Sequence, residues 1–282
     1  MRNLKERNID RSYPAEPPLA GGRVMPLPDV GSAPALSVVI PAYDEADNVV
    51  TLVDEIAAVL ASGPSYEVVV VDDGSTDGTA RRLLERRARG GISLRVLCHA
   101  RNLGQSAALL SGIRAARAEW VVTLDGDGQN DPADIPRFLD VLRRDDPPGH
   151  VRLVCGHRRR RQDGWIKRIS SRIANGVRGR VLGDATPDGG CGLKLIHRST
   201  FLDFPFFDHM HRFIPALTKR GGGEVISIDV NHRPRAHGTS KYGVHDRLWS
   251  GLVDMLGVLW LRRRTATFAV EELEDDEGRA PR

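Results

Sequence analysis

Two aspartates one residue apart, Asp125 and Asp127, end the apolar run that begins at Trp120, and a side-chain amide, Gln129, follows two residues later. Residues two apart in an extended chain share a face, so the two carboxylates point the same way if the strand's path continues. Gly126 and Gly128 leave the backbone free to bend there and let a ligand approach closely. Hard oxygen donors in this number suit Mg²⁺ or Mn²⁺, which take a few carboxylates from a protein and complete their shell with substrate phosphates. The chemistry this points to is the handling of a diphosphate.

For the pair to stand at the mouth of a site, the run before it must be a strand with neighbours. A β-branched run over 36–40 is ended by Pro41, and 67–71 is apolar on both faces, as a central parallel strand is. Further strands are predicted over 94–98 and 120–124. Between them, Val49, Leu52, Val53, Ile56 and Leu60 recur at helical spacing from residue 47 onward. Asp77 is placed as the N-cap of a second helix, and a third is predicted over 105–117. Alternating strands and helices with short connections imply an α/β fold: a doubly wound, mostly parallel sheet with helices on both faces. Ligands in such sheets sit beyond the carboxyl ends of the strands. Three of those ends carry polar clusters: Pro41-Ala-Tyr-Asp-Glu45, Asp72-Asp73-Gly-Ser75 and Asp125-Gly-Asp127. The second half is predicted to hold strands over 151–155, 193–196 and 225–230, with helices over 165–182, 212–219 and 246–261.

The 282 residues, 40% of them hydrophobic, can bury a core in one such domain with extensions. The net charge of +4 is unevenly spread, with basic residues crowding 158–180 and 262–264 and acidic ones gathering near the end. Basic patches suit phosphate-bearing partners, but no aromatic platform accompanies them, and nucleic acid is not the expected one. Three scattered cysteines, Cys98, Cys155 and Cys191, fit neither a disulfide framework nor a zinc site and point to a reducing, cytosolic setting. Cys191 reads as a packing residue, and His99, His150 and His211 lack ligand spacing. There is no P-loop motif, and the first strand leads into Pro-Ala-Tyr-Asp-Glu rather than a glycine-rich dinucleotide turn. No signal peptide is evident, and no apolar run reaches the roughly 18–20 residues of a membrane span. The expected division is a disordered Pro-rich arm over 1–34, a catalytic domain over 35–242, an amphipathic membrane-interface helix over 243–264, and an acidic disordered tail over 265–282.

Four motifs together resemble family-2 glycosyltransferases of the GT-A fold: Val39-Ile-Pro-Ala-Tyr-Asp-Glu-Ala-Asp-Asn48, Val70-Val-Asp-Asp-Gly-Ser-Thr-Asp-Gly-Thr79, Arg101-Asn-Leu-Gly104 and Leu124-Asp-Gly-Asp-Gly-Gln129. Within that family, Asp188-Gly-Gly-Cys-Gly-Leu-Lys194 and Arg235-Ala-His-Gly-Thr-Ser-Lys-Tyr242 resemble the polyprenyl-phosphate, dolichyl-phosphate mannose synthase-like branch. The resemblance implies that Pro41, Tyr43, Glu45 and Val71 line the nucleotide and that Asp73 reads its base. It implies that Asp125 and Asp127, with Gly126 between them, and Gln129 hold Mg²⁺ or Mn²⁺. It places Arg158 near the donor phosphates, and Arg235 and Lys241 on the diphosphate and the acceptor phosphate. It sets Lys167, Arg168, Ser171 and Arg172 where the branch holds the acceptor phosphate. His237 is read as a loop residue, with contact to phosphate as the lesser alternative.

The implied reaction is metal-dependent, inverting transfer of a hexose from a nucleotide-sugar donor to a polyprenyl phosphate at the cytoplasmic membrane face. Mannose from GDP-mannose is the expected donor. A UDP-sugar donor is the alternative, acting on the same lipid or on a saccharide hydroxyl with Asp188 as general base. A non-catalytic nucleotide-sugar-binding membrane adaptor is the reading from another class. A phosphate acceptor is already anionic and needs positioning more than a base. Paired tryptophans near an arginine cluster, over 248–264, suit a helix lying in a membrane surface.

Overall fold

A computed structural model describes residues 33–145, 150–158, 186–235 and 244–264. The first half alternates β1 (Leu36–Ala42), α1 (Val49–Leu60), β2 (Tyr66–Asp72), α2 (Thr79–Ala88), β3 (Leu94–Cys98), α3 (Gln105–Ala115) and β4 (Trp120–Thr123). A 3-10 turn, Pro132–Asp134, leads into α4 (Ile135–Asp145). Then follow β5 (Val151–Arg158), β6 (Lys194–His197), α5 (Arg198–Leu202), α6 (Ile214–Arg220), β7 (Glu224–Val230) and α7 (Val244–Arg263). The strands form one seven-stranded sheet in the order β3-β2-β1-β4-β6-β5-β7. Every neighbouring pair is parallel except those made by β6, which runs antiparallel to both β4 and β5.

The expected alternation is present, and its physical cause lies in the strands. Successive residues of β1 and β2 face opposite layers: Val38, Ile40, Val68 and Val70 join α1 and α4 in one core, while Val39 and Val69 join α3, α5 and α6 in the other. Because both faces are covered, β1 and β2 are largely apolar, and the buried Ser37 and Glu67 satisfy each other, Ser37 Oγ donating to Glu67 Oε1 at 2.8 Å. Gly112 lets α3 lie directly on the sheet, since a Cβ there would come 2.4 Å from Val39 Cγ1 and 3.1 Å from Val71 Cγ2.

Several expectations change in detail. The helix expected over 212–219 is a 3-10 turn, Met210–Arg212, followed by α6, which Pro215 opens near its N-terminus. Asp77 stands one residue outside the cap position, which Gly78 takes, yet its carboxylate accepts the Thr79 and Ala46 N–H groups at 3.0 Å each. Helix α4 was not expected, although Ile135, Phe138, Leu139 and Leu142 repeat at helical spacing. Residues 1–32 of the arm expected over 1–34, the basic helix over 165–182 and the tail over 265–282 lie outside the described residues.

Helix α7 has one face packed on the domain and another, apolar in part, turned outward. Its Val258, 1% exposed, sits in the core beneath α6 with Met255 and Leu259 against it. Arg220 Nε donates to Leu261 O at 3.1 Å, and His209 Nδ1 lies 3.3 Å from Asp254 Oδ2. On the outward side Val253, Leu256 and Trp260 are 51, 56 and 59% exposed, at a spacing that sets them in one stripe. The guanidinium of Arg264 lies 5.7 Å from the Trp260 ring centre. No described helix is long and apolar enough to cross a membrane.

The close seating of α3 predicts the effect of Gly112→Ala. Alanine gains about 1 kcal/mol of helix propensity, but the new methyl group overlaps Val39 in a packed core, which costs about 1–3 kcal/mol or more. The clash is expected to win and lower the urea midpoint. An unchanged or raised midpoint would show that α3 is not pressed onto the sheet.

Candidate active site

The carboxyl ends of β1, β2 and β4 adjoin through the sheet's register, which aligns Ala42 with Asp72 and Val39 with Thr123. Their loops are joined by side chains. Asp44, held at the left-handed φ of 49°, receives Thr76 N–H at 2.8 Å, and its own N–H donates to Ser75 Oγ at 2.8 Å. Glu45 N–H donates to Thr79 Oγ1 at 3.0 Å. Gly126 admits the β4 loop beside β1, because a Cβ there would stand 2.9 Å from Pro41 O.

The two aspartates are held differently. Asp125 N–H donates to Asn130 Oδ1 at 3.0 Å, and its Oδ1 accepts Gln105 Nε2 at 2.7 Å. Its carboxyl group is pressed against Gly192, where a Cβ would come within 2.3 Å of it. Burial, together with the negative charge of Asp127, raises the Asp125 carboxyl to about 6, against the opposing pull of Lys194, Arg158 and Gln105. Asp127 accepts Gln129 N–H at 3.1 Å on one oxygen and Arg235 Nη2 at 3.1 Å on the other. The same Arg235 nitrogen donates to Glu45 Oε1 at 3.0 Å, so one guanidinium bridges the β1 and β4 loops.

These residues fit a divalent cation. Two carboxylates converge closely enough to repel, and a guanidinium already rests on one of them. No group of three or more His, Cys, Asp or Glu side chains able to hold a metal occurs among the described residues. A metal here would therefore draw on the two aspartates and take other oxygens from outside the carboxylate set, as Mg²⁺ and Mn²⁺ do at phosphate sites. The Gln129 backbone is fixed from both sides, its N–H on Asp127 and its carbonyl accepting Arg233 N–H at 2.9 Å.

Three other expected site residues are enclosed or paired within the protein. Val71 is fully buried with its side chain under α3, so it offers a nucleotide no side chain. Asp73 is buried, and three donors already converge on it: Leu103 N–H at 2.9 Å, Gly104 N–H at 2.8 Å and His99 Nδ1 at 2.6 Å. Its carboxylate braces the 99–104 segment rather than standing open to a base. Asp188 meets Arg158 through two bonds, from Nε at 2.6 Å and Nη2 at 2.9 Å. Burial alone would lower the Arg158 guanidinium, but this pairing outweighs it and pushes it up. With both oxygens so engaged, Asp188 holds Arg158 in place and is poorly suited to serve as a general base. Pro41 is buried, and Tyr43 and Glu45 are half-buried around the same strand end. Lys241, His237 and the 167–172 residues lie outside the described residues.

His99 Nε2 also lies 2.9 Å from Ser111 Oγ, giving a Ser–His–Asp chain with Asp73. It is not a hydrolytic triad, because Ser111 lies inside α3, where backbone N–H groups are spent on the helix ladder rather than offered to an oxyanion. Sequence reasoning missed Gln105, Asn130 and Lys194 as site residues. Lys194 is buried, its Nζ donating to Cys191 O, within the field of Asp125. Its motif was visible; its direction was not.

The model of glycosyl transferase family 2 matches residues 37–203. The dodecaprenyl-phosphate galacturonate synthase of Rhizobium johnstonii is 38% identical over 235 residues, 82% of this chain and 68% of that protein. The undecaprenyl-phosphate 4-deoxy-4-formamido-L-arabinose transferase of Edwardsiella ictaluri is 37% identical over 210 residues, 74% of this chain and 63% of that protein. The chain thus spans about two thirds of the length of these relatives. In fold it is similar to the mannosyl-3-phosphoglycerate synthase of Rubrobacter xylanophilus, with TM-score 0.64, 19% identity, and 87% and 80% of the two chains covered. The glucosyl-3-phosphoglycerate synthase of Mycobacterium tuberculosis, solved with Mn²⁺, UDP and phosphoglyceric acid, gives TM-score 0.61, 21% identity, and 83% and 80% coverage.

The raised Asp125 carboxyl predicts a conflict between stability and binding. Its folded value of about 6 lies above the ordinary 3.8, so ionising it costs folding stability as pH rises from 4 through 6. Asp125→Asn should therefore raise the metal-free unfolding free energy at pH 7, by on the order of 1–3 kcal/mol. The same variant should lose metal binding. In the wild type, metal binding should weaken as pH falls below about 6 and the carboxyl protonates. Urea titrations at pH 5 and pH 7 check the sign: an Asn variant less stable than wild type at pH 7 would rule it out.

Proposed function

The chain belongs to glycosyl transferase family 2, and from that premise we propose that it transfers a sugar from a nucleoside diphosphate to a polyprenyl phosphate with a divalent metal. The single observation that carries this reading is the meeting of Asp125, Asp127, Glu45 and Arg235 at the strand ends. Asp125, Asp127 and Gln129 would hold Mg²⁺ or Mn²⁺, which when bound offsets the charge that builds on a departing diphosphate. Arg235, already directed at this spot, is suited to follow that charge onto the phosphates. The Arg158–Asp188 pair keeps a second cation fixed near the carboxylates. A lipid phosphate attacks from the face opposite the leaving group, so the product is inverted.

The expected mannose donor gives way. The two relatives are named for galacturonate and 4-deoxy-4-formamido-L-arabinose, and sugars of those kinds replace mannose as the proposed cargo. Transfer to a saccharide hydroxyl is disfavoured, because the base it requires, Asp188, is held by Arg158. The convergence of Asp125, Asp127 and Arg235 on one spot favours a catalytic site over a non-catalytic adaptor.

We place the outward stripe of α7 on a membrane surface. Val253, Leu256 and Trp260 supply the apolar contact, while Arg263 and Arg264 supply positive charge for anionic headgroups. A lipid acceptor gives such a surface a purpose, since the protein must reach a phosphate held at the bilayer.

Two measurements test these readings. In a thermal-shift panel with Mn²⁺, a UDP-linked uronic acid or 4-formamido-pentose is expected to stabilise the protein more than GDP-mannose, by about 2.7 kcal/mol when the ligand is at a hundred times its Kd. Asp127→Ala should remove both that response and transfer to polyprenyl phosphate, and turnover that survives with its metal dependence intact would remove Asp127 from the reaction. In flotation with vesicles containing phosphatidylglycerol, Leu256→Asp with Trp260→Asp should release most of the protein, and full retention would contradict the assignment of this face.

A further inference from the structure

We infer that Gln105 is a positioning residue for Asp125, and that the segment before it makes the aim of that carboxylate depend on Asp73. The inference rests on the metal reading above. Its basis is the behaviour of three consecutive residues. Leu103 and Gly104 give their N–H groups to the two oxygens of Asp73, at 2.9 and 2.8 Å. Gln105, the next residue, gives its side-chain amide to Asp125 Oδ1 at 2.7 Å.

The turn between them has little freedom. Gly104 holds φ 91° and ψ 159°, a conformation that residues with a Cβ avoid. From the other side, Gly74 presses on this segment so closely that a Cβ would lie 2.5 Å from the Arg101 carbonyl carbon. Ser106, following Gln105, is tied through its hydroxyl to His211 Nδ1 at 2.8 Å. The amide of Gln105 is therefore delivered to Asp125 by a fixed backbone, at the first residue of a helix seated on the sheet by Gly112.

The choice of an amide matters. Asp127 is met by a cation, Arg235, which competes with a metal for the same oxygen. Asp125 is met by a neutral donor, which turns the carboxylate without cancelling its charge. Gly192 closes the other side of the carboxyl group, and its own carbonyl accepts Thr123 Oγ1 at 2.7 Å, so the wall does not yield. The amide and the wall together confine the Asp125 carboxylate. Fixing a ligand's orientation from behind is how outer residues at metal sites raise affinity.

The test uses the full chain and reads Mn²⁺ uptake by electron paramagnetic resonance in the presence of UDP. Gln105→Met keeps the side chain's size without its donor, and Gln105→Glu sets a like charge against Asp125. Both are expected to weaken Mn²⁺ binding about tenfold or more, with the metal-free melting midpoint of the Met variant within a few degrees of wild type. Leu110→Ala, a packing change on the same helix, is expected to lower the midpoint while leaving Mn²⁺ affinity in place. Wild-type affinity in Gln105→Met, or an equal loss in Leu110→Ala, overturns the inference. A metal-free crystal structure of Gln105→Met reads the aim directly: the Asp125 carboxylate should leave its place beside Gly192, and an unmoved carboxylate overturns the inference whatever the metal does. If wild-type protein takes up no Mn²⁺, the metal reading falls, and the crystal structure still decides whether Gln105 aims Asp125.

Discussion

Two negative charges held side by side, partly out of water, are the constraint around which this fold is arranged. Left alone, Asp125 would take up a proton or turn away, since burial and the neighbouring charge of Asp127 both oppose its ionisation. The chain opposes this with several groups from distant parts of the sequence. Gln105 comes from the start of α3, Asn130 from the loop after β4, Gly192 and Lys194 from the approach to β6, and Arg235 from beyond β7. Each reaches the pair only because the strand order brings β1, β4 and β6 together at the sheet's centre. The antiparallel β6 has a specific use here. It enters the sheet next to β4 from the opposite direction, so its first residues, Gly192 through Lys194, arrive at the carboxyl end of β4 where the aspartates stand.

What the sequence made visible follows from periodicity. Strands covered on both faces are continuous apolar runs, and helices over them repeat every three or four residues, so β1 to β4 and α1 to α3 could be read directly. The aspartate pair could be read because two carboxylates at a strand end have few other uses. Contacts made by one side chain across the fold carry no such period. Nothing local distinguishes Gln105, which reaches Asp125 twenty residues on, from an ordinary polar residue opening a helix. Asp73 and Asp188 show the converse limit of a motif. Their motifs mark them as important, but motif position does not reveal whether a carboxylate faces a ligand or braces a loop. In this structure Asp73 gathers backbone N–H groups and Asp188 gathers a guanidinium. Helix α4 was overlooked for a different reason: Pro132 and the polar 129–131 stretch before it resemble a loop, although the 3-10 turn they build is its lead-in.

Arg235 and Gln105 divide the task of keeping the site ready. A guanidinium across Glu45 and Asp127 neutralises the exposed half of the pair and ties two loops together, but it must yield that oxygen if a metal is to take it. An amide on the enclosed half neutralises nothing and need not yield. The result is a site that can hold its shape while one of its two carboxylates changes partners. Such an arrangement suits a reaction in which negative charge arrives with the donor and leaves on the diphosphate.

The same reasoning extends to α7. A helix buried on one side alone would keep its outward face polar, and one that only lay on a membrane would have no residue as enclosed as Val258. Here the apolar residues fall on two faces, one against α6 and the other toward solvent. Packing fixes where the outer stripe points relative to the sheet, and the stripe can in turn fix how the sheet stands over a surface. A lipid-linked phosphate is confined to a plane, so an enzyme acting on it gains more from a fixed orientation than from added affinity. On the proposed membrane reading, a rigidly seated helix with an apolar outer face would supply that orientation, whereas a loosely tethered one would supply only proximity.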